Sequence, residues 1–182
     1  MARIDLVTDK AQLSEDRFDE FDAIVEVLHG VRGPFAVLMH SPGLAQKVMQ
    51  AGAQVRLNSL LSQVERELAI LAVAREKDAS YEWASHVRVG RTAGMSEQVI
   101  DAVRYRKDTN GLAEDERDII GFVRQLLQTN KVDDVLFESL QSRKGTRWLV
   151  ELTATVGQYQ YISAINTTFG VVAALDADQL PV

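Results

Sequence analysis

Ser62-Gln63-Val64-Glu65-Arg66-Glu67-Leu68-Ala69-Ile70-Leu71-Ala72-Val73-Ala74-Arg75, followed by Ser80-Tyr81-Glu82-Trp83-Ala84-Ser85-His86, is the stretch that decides the fold. Ser62 and Glu65 have the capping-box spacing, in which cap and third residue satisfy each other's backbone N–H, so a helix opens here and runs to about Arg75. Lys77-Asp78-Ala79 interrupts it briefly. Ser80 is expected to cap a second helix through Ala93, with Gly94 as its stop.

Working outward, the same helical spacing continues in both directions. Met1 to Leu13 reads as an irregular arm. Ser14 to Leu28 reads as an acidic amphipathic helix with Phe18, Phe21, Ile24, Val25 and Leu28 on one face. Gly30 to Pro34 breaks it, and Phe35 to Met39 is a short apolar segment. Ser41-Pro42 pairs an N-cap serine with proline at the first helical position, starting a helix to about Arg56. Ser96-Glu97 starts a short helix to about Tyr105, and Arg106 to Gly111 reads as a loop. Further helices are expected over Ala113 to Leu127, Val132 to Leu140 and Thr146 to about Gly170, before a tail from Asp176 to Val182. No segment alternates with period two, so the fold class is all-α. The 182 residues suit a single all-helical domain.

Composition bounds the function. The 46% hydrophobic and 25% charged residues are those of a soluble globular chain. A net charge of −6 argues against nucleic acid as partner and gives no attraction to an anionic membrane. No stretch approaches the roughly 20 apolar residues of a membrane span. Met1 to Lys10 carries Asp5 and Asp9 and lacks the apolar run of a secretory signal. With no cysteine there is no disulfide or thiolate chemistry, and a cytoplasmic setting is expected.

Few residues remain to carry chemistry. At 100° per residue, Glu67 lies among Val64, Ile70, Leu71 and Ala74, in the middle of an apolar stripe. A carboxylate there either pairs or keeps its proton. Both a proton-donor role and a structural role stay open. Glu82 and His86 are four apart and share one helical face, a spacing that serves an acid/base pair or a surface ion pair equally. Two carboxylates and one histidine also suggest a metal. However, His29 and His40 lie in other segments and no H-x-x-x-H pair exists, so no metal is expected. No phosphate loop, nucleophile elbow or dinucleotide fingerprint is present.

The segments Leu60 to Leu71, Tyr81 to His86 and Gly94-Met95-Ser96-Glu97-Gln98-Val99-Ile100 resemble the carboxymuconolactone decarboxylase family, which includes the alkylhydroperoxidase D-type proteins. An R-E-L helix, a W-x-x-H helix and a G-hydrophobic-S restart recur in order. His40-Ser41-Pro42-Gly43-Leu44 resembles the segment before this core. The likeness is densest over residues 34–103, with 113–170 similar to a C-terminal helical extension. It implies an alkylhydroperoxidase D-like helical fold, a homo-oligomer (trimer or hexamer) and a small pocket. The family's glutamate falls on Glu67 and its histidine on His86. The pocket implied around Glu67, Glu82 and His86 would draw substrate contacts from Tyr81, Trp83, His40 and Arg66.

One departure changes the chemistry. Peroxidase-type members carry C-x-x-C before the histidine, and those positions here are Ala79 and Glu82. Thiol-based peroxide reduction needs a thiolate and a resolving thiol. What the resemblance then implies is a cofactor-free lyase, isomerase or hydrolase acting on a small carboxylate or lactone. Arg66, Arg88 and Arg91 are candidate anion clamps, the last two only across a subunit boundary. The alternative is a non-enzymatic helical oligomer that binds a small ligand or partner, or a family member that has lost thiol activity.

Overall fold

The computed structural model describes residues 2–181. Among them every regular element is helical: α1 (Phe18–Leu28), α2 (Pro34–Leu38), α3 (Pro42–Leu57), α4 (Gln63–Glu76), α5 (Ser80–Thr92), α6 (Glu97–Arg104), α7 (Glu114–Thr129), α8 (Asp134–Lys144) and α9 (Thr146–Phe169). No helix is long and apolar enough to cross a membrane.

The centre is α4. From Glu67 to Ala74 every residue is buried, so this helix is enclosed on all sides rather than along one stripe. It packs against α5, α7, α9 and α6. The Ser62–Glu65 capping box forms as expected, Glu65 N donating to Ser62 Oγ and Ser62 N to Glu65 Oε2. Gly90 lets α5 approach closely, since an added Cβ there would sit 3.3 Å from Met95 and 3.6 Å from Leu71.

Two apolar clusters result. The larger gathers α4, α5, α6, α7 and α9 around Leu68, Leu71, Trp83, Ile119 and Leu152. The smaller gathers Val7, Phe21, Ile24, Met39, Ala45 and Met49 with Ile162 of α9. The first three helices therefore form a second lobe against one flank of α9.

Several sequence expectations shift in detail. Ala79, not Ser80, is the N-cap of α5. Asp78 takes a left-handed φ of 47° and Ala79 N donates to Ala74 O at 2.8 Å, so α4 closes and α5 begins almost without a spacer. Ser14 precedes a 3-10 turn, Glu15–Arg17, before α1 proper. The arm carries its own 3-10 turn, Lys10–Gln12, closed by an Asp9–Gln12 capping box. The apolar segment after the Gly30–Pro34 break is a short helix, with Pro34 at its first turn. Ser41 flanks Pro42 without a side-chain cap, and α9 is continuous through Gly157. Met1 and Val182, the outer ends of the arm and tail, lie outside the described residues.

Candidate active site

Glu67 of α4 and Glu82 and His86 of α5 meet where the two apolar clusters join. All three are buried, at 2%, 4% and 8% exposure. His86 Nδ1 lies 2.7 Å from Glu67 Oε2, a short contact characteristic of a charge-assisted hydrogen bond. With Glu67 as a carboxylate its oxygen only accepts, an arrangement in which Nδ1 carries the proton and Nε2 keeps its lone pair when the ring is neutral. Nε2 faces Glu82 Oε2 at 3.5 Å. The other Glu82 oxygen accepts from Asn166 Nδ2 of α9 at 2.7 Å. Tyr159 of α9 stands edge-on to the imidazole, ring centroids 5.0 Å apart at 88°, and fixes the ring plane from the third side.

Burial pushes the Glu82 carboxyl above its ordinary range, against the pull of His86, Asn166 and Arg56. Burial likewise lifts the Tyr159 phenol far above its usual value. Tyr81 is raised by burial and by Glu82, with Arg32 opposing.

A cavity of about 440 Å³ opens onto this group. Glu82, His86, Tyr81, Ser85 and Tyr159 form its inner wall, and Val27, Leu28, Phe35, Ala53 and Leu57 its apolar side. Its volume falls within the usual range for small-molecule sites. Tyr81 is set by Gly33, whose φ of 57° suits glycine and whose missing side chain leaves room for the phenol, since a Cβ there would overlap the Tyr81 hydroxyl and ring. Among the described residues no three His, Cys, Asp or Glu side chains are arranged to hold a metal ion.

The structure thus brings together Glu67, Glu82, His86 and Tyr81, and places the five other sequence candidates elsewhere. Trp83 is fully buried behind the site, where Nε1 donates to Asp178 at 3.0 Å and the Arg104 guanidinium covers its ring. Arg66 does not line the cavity, and its Nε stands 3.8 Å from Glu67 Oε1. His40 lies in a separate shallow depression, its Nε2 2.8 Å from Asp5 O. Arg91 is held by Glu97 and Asp178. Arg88 is exposed on α5, away from the cavity lining.

Sequence reasoning missed Asn166, Tyr159, Arg32 and Arg56. For the first two a signal existed: Tyr159, Ile162 and Asn166 fall on one face of an apolar helix, the pattern that singled out Glu67. For Arg32, in the break between α1 and α2, there was none.

Residues 42–124 match the carboxymuconolactone decarboxylase family. No curated protein matches the chain. Among solved structures the chain is similar to an alkylhydroperoxidase AhpD core, an uncharacterized peroxidase-related protein from Ralstonia eutropha JMP134, at 19% identity and a TM-score of 0.76, covering 96% of this chain and 93% of that one. An uncharacterized peroxidase-related protein from Silicibacter sp. TM1040 aligns at 16% identity and a TM-score of 0.73, covering 99% and 96%. A protein of unknown function from Agrobacterium tumefaciens aligns at 20% identity and a TM-score of 0.69, covering 80% and 100%. At such identities the likeness is one of fold, and the all-helical AhpD-like arrangement is common to all.

Proposed function

We propose that this chain, whose residues 42–124 match the carboxymuconolactone decarboxylase family, is a cofactor-free acid/base enzyme, a lyase, isomerase or hydrolase acting on a small carboxylate or lactone. One observation carries this reading: Glu67, His86 and Glu82 form a continuous line, buried at one end and open at the other to a cavity.

Glu67 is the positioning residue, holding the Nδ1 proton and so turning Nε2 outward. His86 and Glu82 line the cavity and are the catalytic pair. In a decarboxylation, the C–C bond breaks, carbon dioxide leaves, and the electron pair stays on carbon as an enolate. A proton from the His86 imidazolium or the Glu82 carboxyl then goes to that carbon. No electrons are exchanged with a third party, which suits a chain without cysteine. Burial favours the protonated Glu82 needed for such a step. A binding-only oligomer would also use the cavity; what favours the enzyme is that the His86 and Glu82 pair faces it.

The reading includes a homo-oligomer, trimer or hexamer, as the family resemblance implies. Exposed Leu57 at the cavity, with Val150 and Tyr161 on α9, supplies apolar surface for it. The test is a panel of small carboxylates and lactones, followed for carbon dioxide release, ring opening or double-bond migration. Wild type should turn over at least one member, and His86→Ala should lose that turnover with its oligomeric state intact. Full activity in His86→Ala removes the acid/base assignment.

A further inference from the structure

Most arginines in this acidic chain pair with carboxylates: Arg75 with Asp78, Arg91 with Glu97, Arg104 with Asp178, and Arg143 with Asp115 and Asp118. Arg32 and Arg56 pair with none among the described residues, yet both line the cavity. They reach it from separate elements, Arg32 from the break between α1 and α2, Arg56 from the last turn of α3. The Arg32 guanidinium folds back over Gly30, itself part of the lining, where an added Cβ would meet Nη1 at 3.5 Å.

The only carboxylate among the lining residues is Glu82. It is already hydrogen-bonded to Asn166 on one oxygen and turned to His86 with the other. Burial favours its neutral form, so it offers the two guanidiniums little compensation. Two unpaired cations around one concavity repel each other until an anion enters. Guanidinium groups match a carboxylate with paired N–H donors. In the same lining, Val27, Leu28, Phe35, Ala53 and Leu57 offer apolar surface to the body of a ligand.

We infer that Arg32 and Arg56 form an anion subsite in this cavity, which selects a small molecule bearing a carboxylate on an apolar body over its uncharged analogue. The inference rests on the acid/base reading for the identity of the cavity as a substrate site, and narrows that reading from carboxylate or lactone to the anion. Arg32 lies outside the stretch shared with the family, so this half of the subsite belongs to the segment before it. Arg66, Arg88 and Arg91, the anion clamps expected from the sequence, do not line this cavity within the single chain.

The test is a calorimetric or NMR titration of the full chain with benzoate and with benzamide, equal in size and different in charge, at low ionic strength. Benzoate should bind in the millimolar range or tighter, and benzamide about tenfold more weakly. Arg32→Ala and Arg56→Ala should each lower benzoate affinity about tenfold, with Arg56→Lys between wild type and Arg56→Ala because it keeps charge without the fork. Arg88→Ala, which removes an unpaired arginine outside the cavity, should leave affinity unchanged. All four variants alter exposed side chains and should fold. Equal binding of benzoate and benzamide, no binding of benzoate, unaltered affinity in the Arg32→Ala, Arg56→Ala double variant, or loss in Arg88→Ala instead would each overturn the subsite. Binding is read without turnover, so retained activity in His86→Ala would end the acid/base reading and leave this result standing.

Discussion

Truncating Glu67 to alanine removes the acceptor that meets His86 Nδ1, at a site where water cannot take its place. Three losses combine. A hydrogen bond between partly charged groups disappears, worth about 1.5–3 kcal/mol. The buried Nδ1–H is left without a partner, and the vacated volume lies against the tightly packed core of α4. Breaking a buried pair from one side costs about 3–5 kcal/mol in all. For a chain of this size that lowers the melting temperature by roughly 6–20 °C. Glu67→Gln keeps the shape and an accepting oxygen, so its loss should be about 1–2 kcal/mol. Urea unfolding followed through Trp83 and Trp148 fluorescence, at one fixed protein concentration, measures both. A Glu67→Ala loss below about 1 kcal/mol would refute the reasoning, because an anchoring bond in a dry core cannot be that weak.

Three other outcomes follow from the same geometry. Glu82 has its carboxyl raised by burial from the ordinary 4.5, so below that value it is protonated folded or unfolded. As pH rises through 4.5 the unfolded chain releases its proton first and the native state loses stability until the folded carboxyl also ionises. Glu82→Gln escapes this loss, so its urea midpoint should gain on wild type between pH 4 and pH 8; a constant offset would contradict it. Gly33→Ala should cost about 1–3 kcal/mol from its backbone alone, since φ 57° with ψ −131° is a conformation that side chains disfavour, and should displace Tyr81, seen as a lower melting temperature and altered Tyr81 NMR signals. Asp178→Ala strips the acceptor from Trp83 Nε1, Arg91 and Arg104, so stability should fall by about 1–3 kcal/mol and Trp83 emission should shift to the red; unchanged emission would count against the tail's hold on α5.

How much of this was legible in the sequence depended on range. The capping box at Ser62 and Glu65, the restart at Ser96 and the proline at the start of α3 are local signals, and each helix stands where its signal put it. Glu67 as a carboxylate in an apolar stripe, and Glu82 with His86 on one face, follow from helical arithmetic alone. Which ring nitrogen meets which carboxylate does not, because it depends on how α4 and α5 pack together, with Gly90 of α5 close to Leu71 of α4. The partners further along the chain were beyond reach for the same reason: Asn166 reaches Glu82 across 84 residues and Asp178 reaches Trp83 across 95. Trp83 shows the limit from the other side. It lies next to Glu82 in the chain and on the same helix, yet the approach of the tail turns it into a clasp behind the site rather than a wall of it.

In the proposed arrangement His86 holds one proton against Glu67 and presents its other nitrogen to the cavity. Nitrogen-15 NMR of the histidine rings measures this directly, with His86 assigned by comparison with His86→Ala. The neutral ring should carry its proton on Nδ1, with a bare Nε2 whose resonance moves when benzoate fills the cavity. A neutral ring protonated on Nε2, or an Nε2 resonance indifferent to the ligand, would contradict this arrangement.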